Sequence, residues 1–165
     1  MRIAGTLSCS LCNGDGIRYV VFVQGCGHHC PGCHNPETWP FSGGYSVSVE
    51  ELVEDVHKHP HIDGITLSGG DPFYQQEECC KLIDALPELN VWCYTGFEWE
   101  VVRDTPLVQR CDVVVTGPFV EQLKCEGKPY GSSNQEVHRI EREKRVQADT
   151  LFSDGVESRT GSGAE

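Results

Sequence analysis

Cys26, Cys30 and Cys33 stand at Cys-x3-Cys-x2-Cys spacing within Gly25-Cys26-Gly27-His28-His29-Cys30-Pro31-Gly32-Cys33-His34-Asn35-Pro36. Three soft sulfur donors this close in sequence suit zinc or an iron–sulfur cluster. A structural zinc normally closes with four protein ligands, and His28, His29 or His34 would complete such a shell. A four-iron cluster normally takes four cysteines, so three would leave one iron without a protein ligand. An open metal position is where chemistry is done. The spacing by itself leaves both metals open.

The elements that must position this loop follow from apolar runs and their punctuation. Residues 19–23 (Tyr-Val-Val-Phe-Val) read as a strand that ends directly in the cysteine loop, with Gly14 and Gly16 making a tight turn before Arg18. Arg18 either orients the cluster loop or a substrate, or forms a structural ion pair. Residues 1–13 show no strong periodicity; Cys9 and Cys12 form a Cys-x2-Cys pair best read as local thiols, since no second pair follows at matching spacing. Ser48 and Glu51 fit a capping box. Val49, Leu52, Val53 and Val56 then recur at helical spacing until Pro60. His57, His59 and His61 straddle that helix end without nearby cysteines and read as surface residues.

Residues 64–67 form a short buried strand followed by Ser68-Gly69-Gly70-Asp71-Pro72, where glycines allow close approach to the backbone and Asp71 supplies a carboxylate. A second helix carries Cys79, Leu82, Ile83 and Leu86 on one stripe and stops at Pro87, which makes Cys79 a core residue and Cys80 an incidental thiol. Residues 91–94 form the next strand, and Thr95 with Glu98 offers a cap for a short third helix bearing Trp99 and Val102. Residues 112–115 form a fourth strand before Thr116-Gly117-Pro118-Phe119, and residues 137–140 a last one. Cys93 and Cys111 fall in or beside apolar runs and are expected to be buried, Cys125 exposed. Strands alternating with helices predict an α/β fold with a mostly parallel sheet. That topology brings four junctions to one carboxyl edge, where α/β folds bind ligands: the cysteine loop, residues 68–72, 94–97 and 116–119. From residue 141 the chain turns charged, then rich in Gly and Ser; a domain of residues 1–145 with a flexible tail of 146–165 is expected.

The 165 residues suit one domain, and a net charge of -12 argues against nucleic acid, whose phosphates require clustered Lys and Arg. Ten cysteines are too sparse for a small disulfide scaffold. Residues 1–7 lack the basic start and apolar stretch of a secretory leader, and no apolar run approaches a membrane span. A reducing cytoplasm is the expected setting.

Gly14-Asp15-Gly16-Ile17-Arg18, Phe22, Gly25-Cys26, Cys30, Cys33 and His34-Asn35-Pro36 together resemble the signature of the glycyl-radical-enzyme activases of the radical S-adenosylmethionine (SAM) superfamily. The resemblance spans roughly residues 5–140 and is greatest to the activators of anaerobic ribonucleotide reductase. It implies an open, partial (β/α) barrel in which Cys26, Cys30 and Cys33 hold a 4Fe-4S cluster and SAM binds its open iron. It further implies SAM contacts from Ser68, Gly69, Gly70 and Asp71 at the methionine end, from Tyr94 and Thr95, and from Asn134 in the Gly131-Ser132-Ser133-Asn134-Gln135 pattern. Gly32 departs from the superfamily, many members of which place an aromatic residue there against the adenine; His34 is one substitute, with Asn35 beside it. The implied partners are a glycyl radical enzyme, foremost the large subunit of anaerobic ribonucleotide reductase, and a flavodoxin or ferredoxin electron donor. Two other readings compete: a radical SAM enzyme acting on another peptide or small molecule, and a zinc-binding interaction module.

Overall fold

The computed structural model describes residues 1–142, so the expected boundary between domain and tail lies outside the described residues. In chain order the elements are β1 (Arg2–Ser10), β2 (Arg18–Val23), β3 (Tyr45–Ser46), α1 (Val49–His57), β4 (Gly64–Gly69), α2 (Gln76–Asp84), β5 (Asn90–Tyr94), α3 (Trp99–Val102), β6 (Val113–Thr116) and β7 (Glu136–Arg139). The strands form one open sheet in the order β3-β1-β2-β4-β5-β6-β7. Its centre, β2-β4-β5-β6, is parallel. Both flanks are antiparallel: β3 on β1, β1 on β2, and β7 on β6.

The expected mostly parallel sheet is thereby corrected to a mixed one. Parallel neighbours require a long crossover, usually through a helix. Residues 11–17 are too few for that, and residues 117–135 contain only the 3-10 turn Glu121–Leu123. Both connections therefore return their strands antiparallel. The first strand, β1, has no counterpart in the sequence reading because its burial does not alternate cleanly; β3 covers only Arg2 and Ile3, and the strand's middle is exposed.

Alternation along the central strands separates two faces. Tyr19, Val21, Ile65, Leu67, Val91, Cys93 and Val114 meet apolar side chains of all three helices on one face, among them Leu52, Val56, Leu82, Ile83 and Val102. Burying each such Val, Leu or Ile contributes roughly 1.5–3 kcal/mol. The opposite face carries Trp92, Val113 and Val115 with Tyr94, Tyr130 and Val137; of these, Tyr94 and Tyr130 also line the cavity described below.

Local chemistry sets the helix ends. Ser48 Oγ accepts from the Glu51 N–H at 3.1 Å, and Glu51 Oε2 accepts from the Ser48 N–H at 2.8 Å, so the capping box is complete. The α2 stripe buries Cys80 as well as Cys79, and Leu86 lies beyond the helix end, fully buried. Thr95 does not cap α3, whose N-cap is Glu98; its hydroxyl is used elsewhere.

Arg18 resolves its two sequence readings toward structure. It is 1% exposed at the start of β2, on the edge opposite the cysteine loop. Nε donates to Thr66 Oγ1 at 3.1 Å, Nη1 to Asn90 Oδ1 at 3.0 Å and the Asp15 carbonyl at 3.2 Å, and Nη2 to the Ile65 and Asn90 carbonyls. One guanidinium thus ties the starts of three parallel strands. Burial lowers its pKa from the ordinary value, partly offset by surrounding negative charge from Tyr94, Asp112, Asp63 and Asp15. Replacing it by methionine strips buried carbonyls of their donor. Arg18→Met is expected to cost about 2–5 kcal/mol in urea unfolding of the metal-free protein; a loss below about 1 kcal/mol would show that water replaces the guanidinium.

Candidate metal centre and ligand cavity

The cysteine loop leaves β2 and is held open by backbone and amide bonds rather than regular structure. The Gly25 N–H donates to the Thr38 carbonyl at 2.7 Å and the Cys26 N–H to the Trp39 carbonyl at 3.1 Å. Buried Gln24 donates through Nε2 to the carbonyls of Glu37 at 3.1 Å and Pro40 at 2.7 Å, and its own carbonyl accepts from Gln75 Nε2 at 2.9 Å. His29 has φ 50°, the one positive φ outside glycine among the described residues, which bends the loop between the first two cysteines.

Cys26, Cys30 and Cys33 all line one cavity of about 500 Å³. Cys26 is buried, and Cys30 and Cys33 are half-buried. Burial pushes the Cys26 thiol up, while backbone N–H groups of His28 and His29 pull it down and the negative charges of Asp71 and Cys30 push it further up. The Asn35 N–H donates to Cys33 Sγ at 3.4 Å. Among the described residues no three His, Cys, Asp or Glu side chains converge as one metal ion requires. A cluster asks for a wider arrangement, since each thiolate meets a different iron. Three soft donors on the wall of a roomy cavity, two of them already receiving N–H groups at sulfur, fit such a cluster.

The cavity also brings together most of the other candidates. Its wall includes His34, Asn35, Ser68, Gly69, Gly70, Asp71, Tyr94 and Thr95. Asn134 is not on it: its Nδ2 donates to the Pro118 carbonyl at 2.8 Å on the exposed side. Its neighbour Gln135 lines the cavity instead, accepting from the Gly131 and Ser132 N–H groups and donating to the Gly117 carbonyl. Of the amino-terminal thiol pair, Cys12 reaches the wall, as does Cys125; Cys9 is exposed on β1.

Asp71 is 1% exposed and fully engaged by the protein. Its Oδ2 accepts from Thr95 Oγ1 at 2.8 Å, from the Gly96 N–H at 2.9 Å and from His28 Nε2 at 2.7 Å. Its Oδ1 accepts from the Phe73 N–H at 3.0 Å, and its own N–H donates to the Gly25 carbonyl at 2.9 Å. One carboxylate therefore joins the cysteine loop, the turn after β4 and the turn after β5. The His28–Asp71 pair was missed in the sequence because the two residues are 43 apart; the only signal was a histidine inside the cysteine motif.

The paired glycines serve the same junction. A Cβ on Gly69, whose φ is +95°, would meet the backbone of Phe22 and Val23 at 2.7 Å, and one on Gly70 the Gly25 carbonyl oxygen at 2.4 Å. Gly69 thus lets β4 close on the end of β2 and Gly70 lets the following turn close on the cysteine loop, while both remain on the cavity wall.

Residues 12–138 match the family described as the 4Fe-4S single cluster domain. The chain is 36% identical over 138 residues to the anaerobic ribonucleoside-triphosphate reductase-activating protein of Enterobacteria phage T4, covering 78% of this chain and 88% of that one. It is 35% identical over 141 residues to the protein of that name from Escherichia coli (strain K12), covering 78% and 92%. It is 36% identical over 120 residues to the pyruvate formate-lyase-activating enzyme of Clostridium pasteurianum, covering 65% of this chain and 50% of that enzyme. The chain belongs to the 4Fe-4S single cluster domain family and, within it, to the anaerobic ribonucleoside-triphosphate reductase-activating proteins.

Asp71→Asn tests the junction. It keeps the shape but sets an amide N–H against donors on one side or the other, at about 1–3 kcal/mol for each unmet group. The expected outcome is a lower melting temperature of the metal-free protein together with weaker iron retention after reconstitution. An unchanged melting temperature would mean that the three loops are held by packing alone.

Proposed function

We propose that this chain is a radical SAM activase that installs a glycyl radical on anaerobic ribonucleoside-triphosphate reductase. The observation that carries the reading is three cysteines on the wall of one cavity that continues onto the carboxyl edge of the parallel strands, in a chain that spans nearly the full length of the reductase activators. Against the lyase activator it spans half. The family's 4Fe-4S description favours a cluster over the zinc module.

Cys26, Cys30 and Cys33 would hold the 4Fe-4S cluster as three thiolate ligands. When bound and reduced, it would supply the electron for reductive cleavage of SAM to methionine and a 5′-deoxyadenosyl radical, the species that would take a hydrogen atom from a glycine Cα of the partner. The chain's own residues provide position, charge control and shielding. N–H groups directed at Cys26 and Cys33 moderate the thiolate charge. The backbones of Ser68, Gly69 and Gly70 offer hydrogen-bonding groups to the methionine end of SAM. Asp71 acts as a positioning residue: with His28, Thr95 and Gly96 it fixes the cysteine loop relative to the ends of β4 and β5. Tyr94, with its hydroxyl donating to the Pro129 carbonyl at 2.8 Å, holds the late loop over the cavity.

Helices on one face and a cavity on the other support the open, partial barrel reading of the fold. The missing side would admit the partner's glycine segment. With a net charge of -12 the partner is a protein rather than a nucleic acid, and the electron comes from a flavodoxin or ferredoxin in a reducing cytoplasm. Among the described residues no helix is long and apolar enough to cross a membrane.

The test is anaerobic reconstitution, iron and sulfide analysis, and dithionite reduction with SAM. About four irons per chain and SAM-dependent 5′-deoxyadenosine are expected, followed by a glycyl radical signal on the reductase. Cys30→Ala should lose the cluster and all 5′-deoxyadenosine. Zinc in place of iron, or a cluster that leaves SAM intact, would overturn the proposal.

A further inference from the structure

The segment after β6 grips the cysteine loop at two points. Gly32 has φ +77°, a backbone conformation that side-chain-bearing residues rarely adopt, and a Cβ there would meet the end of the exposed Glu121 side chain, its carboxyl carbon at 2.7 Å. Two residues away, the rings of His34 and Phe119 lie 5.0 Å apart at a 50° tilt. Both rings line the cavity that holds the three cysteines.

Of the other rings on the wall, four are committed, which leaves Phe22 as the alternative. His28 is bound to Asp71 and meets Phe97 edge-on at 4.5 Å. Trp39 meets His29 edge-on at 4.9 Å, and Tyr94 is held by Pro129. Tyr130 packs with Trp92, Val113 and Val115. Phe119 is half-buried and backed by Gly131, where an added Cβ would come within 3.1 Å of the ring. Among the described residues, exposed His34 makes no hydrogen bond or ion pair, and its one aromatic ring contact is with Phe119.

We infer that Phe119 is the platform on which the adenine of SAM stacks, with His34 as the movable ring that opens and covers it. The inference rests on the SAM reading above. Stacked carbon atoms sit about 3.5–4.0 Å apart, so a base between two rings needs roughly 7–8 Å. At 5.0 Å the pair must open. Gly131 fixes the Phe119 side, which leaves exposed His34 as the ring free to move. The base would lie beside Cys33, directly preceding His34, at the position where Gly32 offers no side chain.

Binding to the anaerobically reconstituted protein separates the parts of the ligand. The probes are SAM, S-adenosylhomocysteine, which keeps the adenosine, and methionine, which lacks it. Phe119→Leu is expected to weaken SAM and S-adenosylhomocysteine roughly five- to thirtyfold, with methionine affinity and iron content unchanged, and Phe119→Tyr to bind as the parent does. Equal weakening of all three probes by Phe119→Leu would overturn the inference, as would no weakening, or a selective loss in Phe22→Leu instead. If the parent protein itself fails to bind SAM, the activase reading falls and this inference with it. If the parent binds SAM and Phe119→Leu binds it equally well, the inference alone falls.

Discussion

A single buried carboxylate sets the geometry on which the cavity depends. Asp71 takes three donors on one oxygen and one on the other, drawn from three segments of the carboxyl edge. A charged acceptor bound this way is stronger than a neutral one. It is also costly to leave partly unmet in a buried site. The cysteine loop contains no helix or strand of its own to locate it, so its position relative to β4 and β5 comes from this junction and from the packing of Gly70 against Gly25. Gly96 belongs to the same arrangement: a Cβ there would meet the His28 ring at 2.6 Å.

The opposite end of the same strands is tied by Arg18. Both groups are buried; Arg18 bonds to backbone and neutral side chains of neighbouring strands, and Asp71 to the turns that follow β4 and β5 and to His28 of the cysteine loop. Between them the parallel centre of the sheet is clamped at its start and at its finish. The apolar face does the bulk of the stabilising, and the polar ties decide how the strand ends are spaced. That division leaves the second face free to line a cavity, since the three helices all cover the first.

Ten cysteines in one chain take different roles according to where the fold puts them. Cys79 and Cys93 are fully buried in the core, and burial raises both thiols well above their ordinary values, so they stay protonated and inert. Cys26 is also raised by burial, yet two backbone N–H groups point at its sulfur and it faces the cavity. A metal that displaces the proton gains a site already supplied with donors to the sulfur. The same element is thus packing material in one layer and cavity lining in the next.

The amino-acid sequence by itself determined the soft-donor set, the helices and the parallel strands. Those are local facts: the Cys26, Cys30 and Cys33 spacing, the Ser48–Glu51 capping box and the apolar runs before each junction can all be read within a few residues. It left the zinc shell open as a chemical alternative, and it missed β1 because a strand with an exposed middle carries no clean alternation. Tertiary structure decided the rest, since the deciding contacts join residues far apart in the chain. The direction of β1 and β7, the use of Arg18 as a tie, the pairing of His28 with Asp71, and the placement of Gln135 rather than Asn134 on the cavity wall are of this kind. So is the contact between Phe119 and His34, which no spacing in the sequence encodes. A motif names the donors that a site can use, but only the packed strands bring their loops to the same edge and fix which side chains face the ligand.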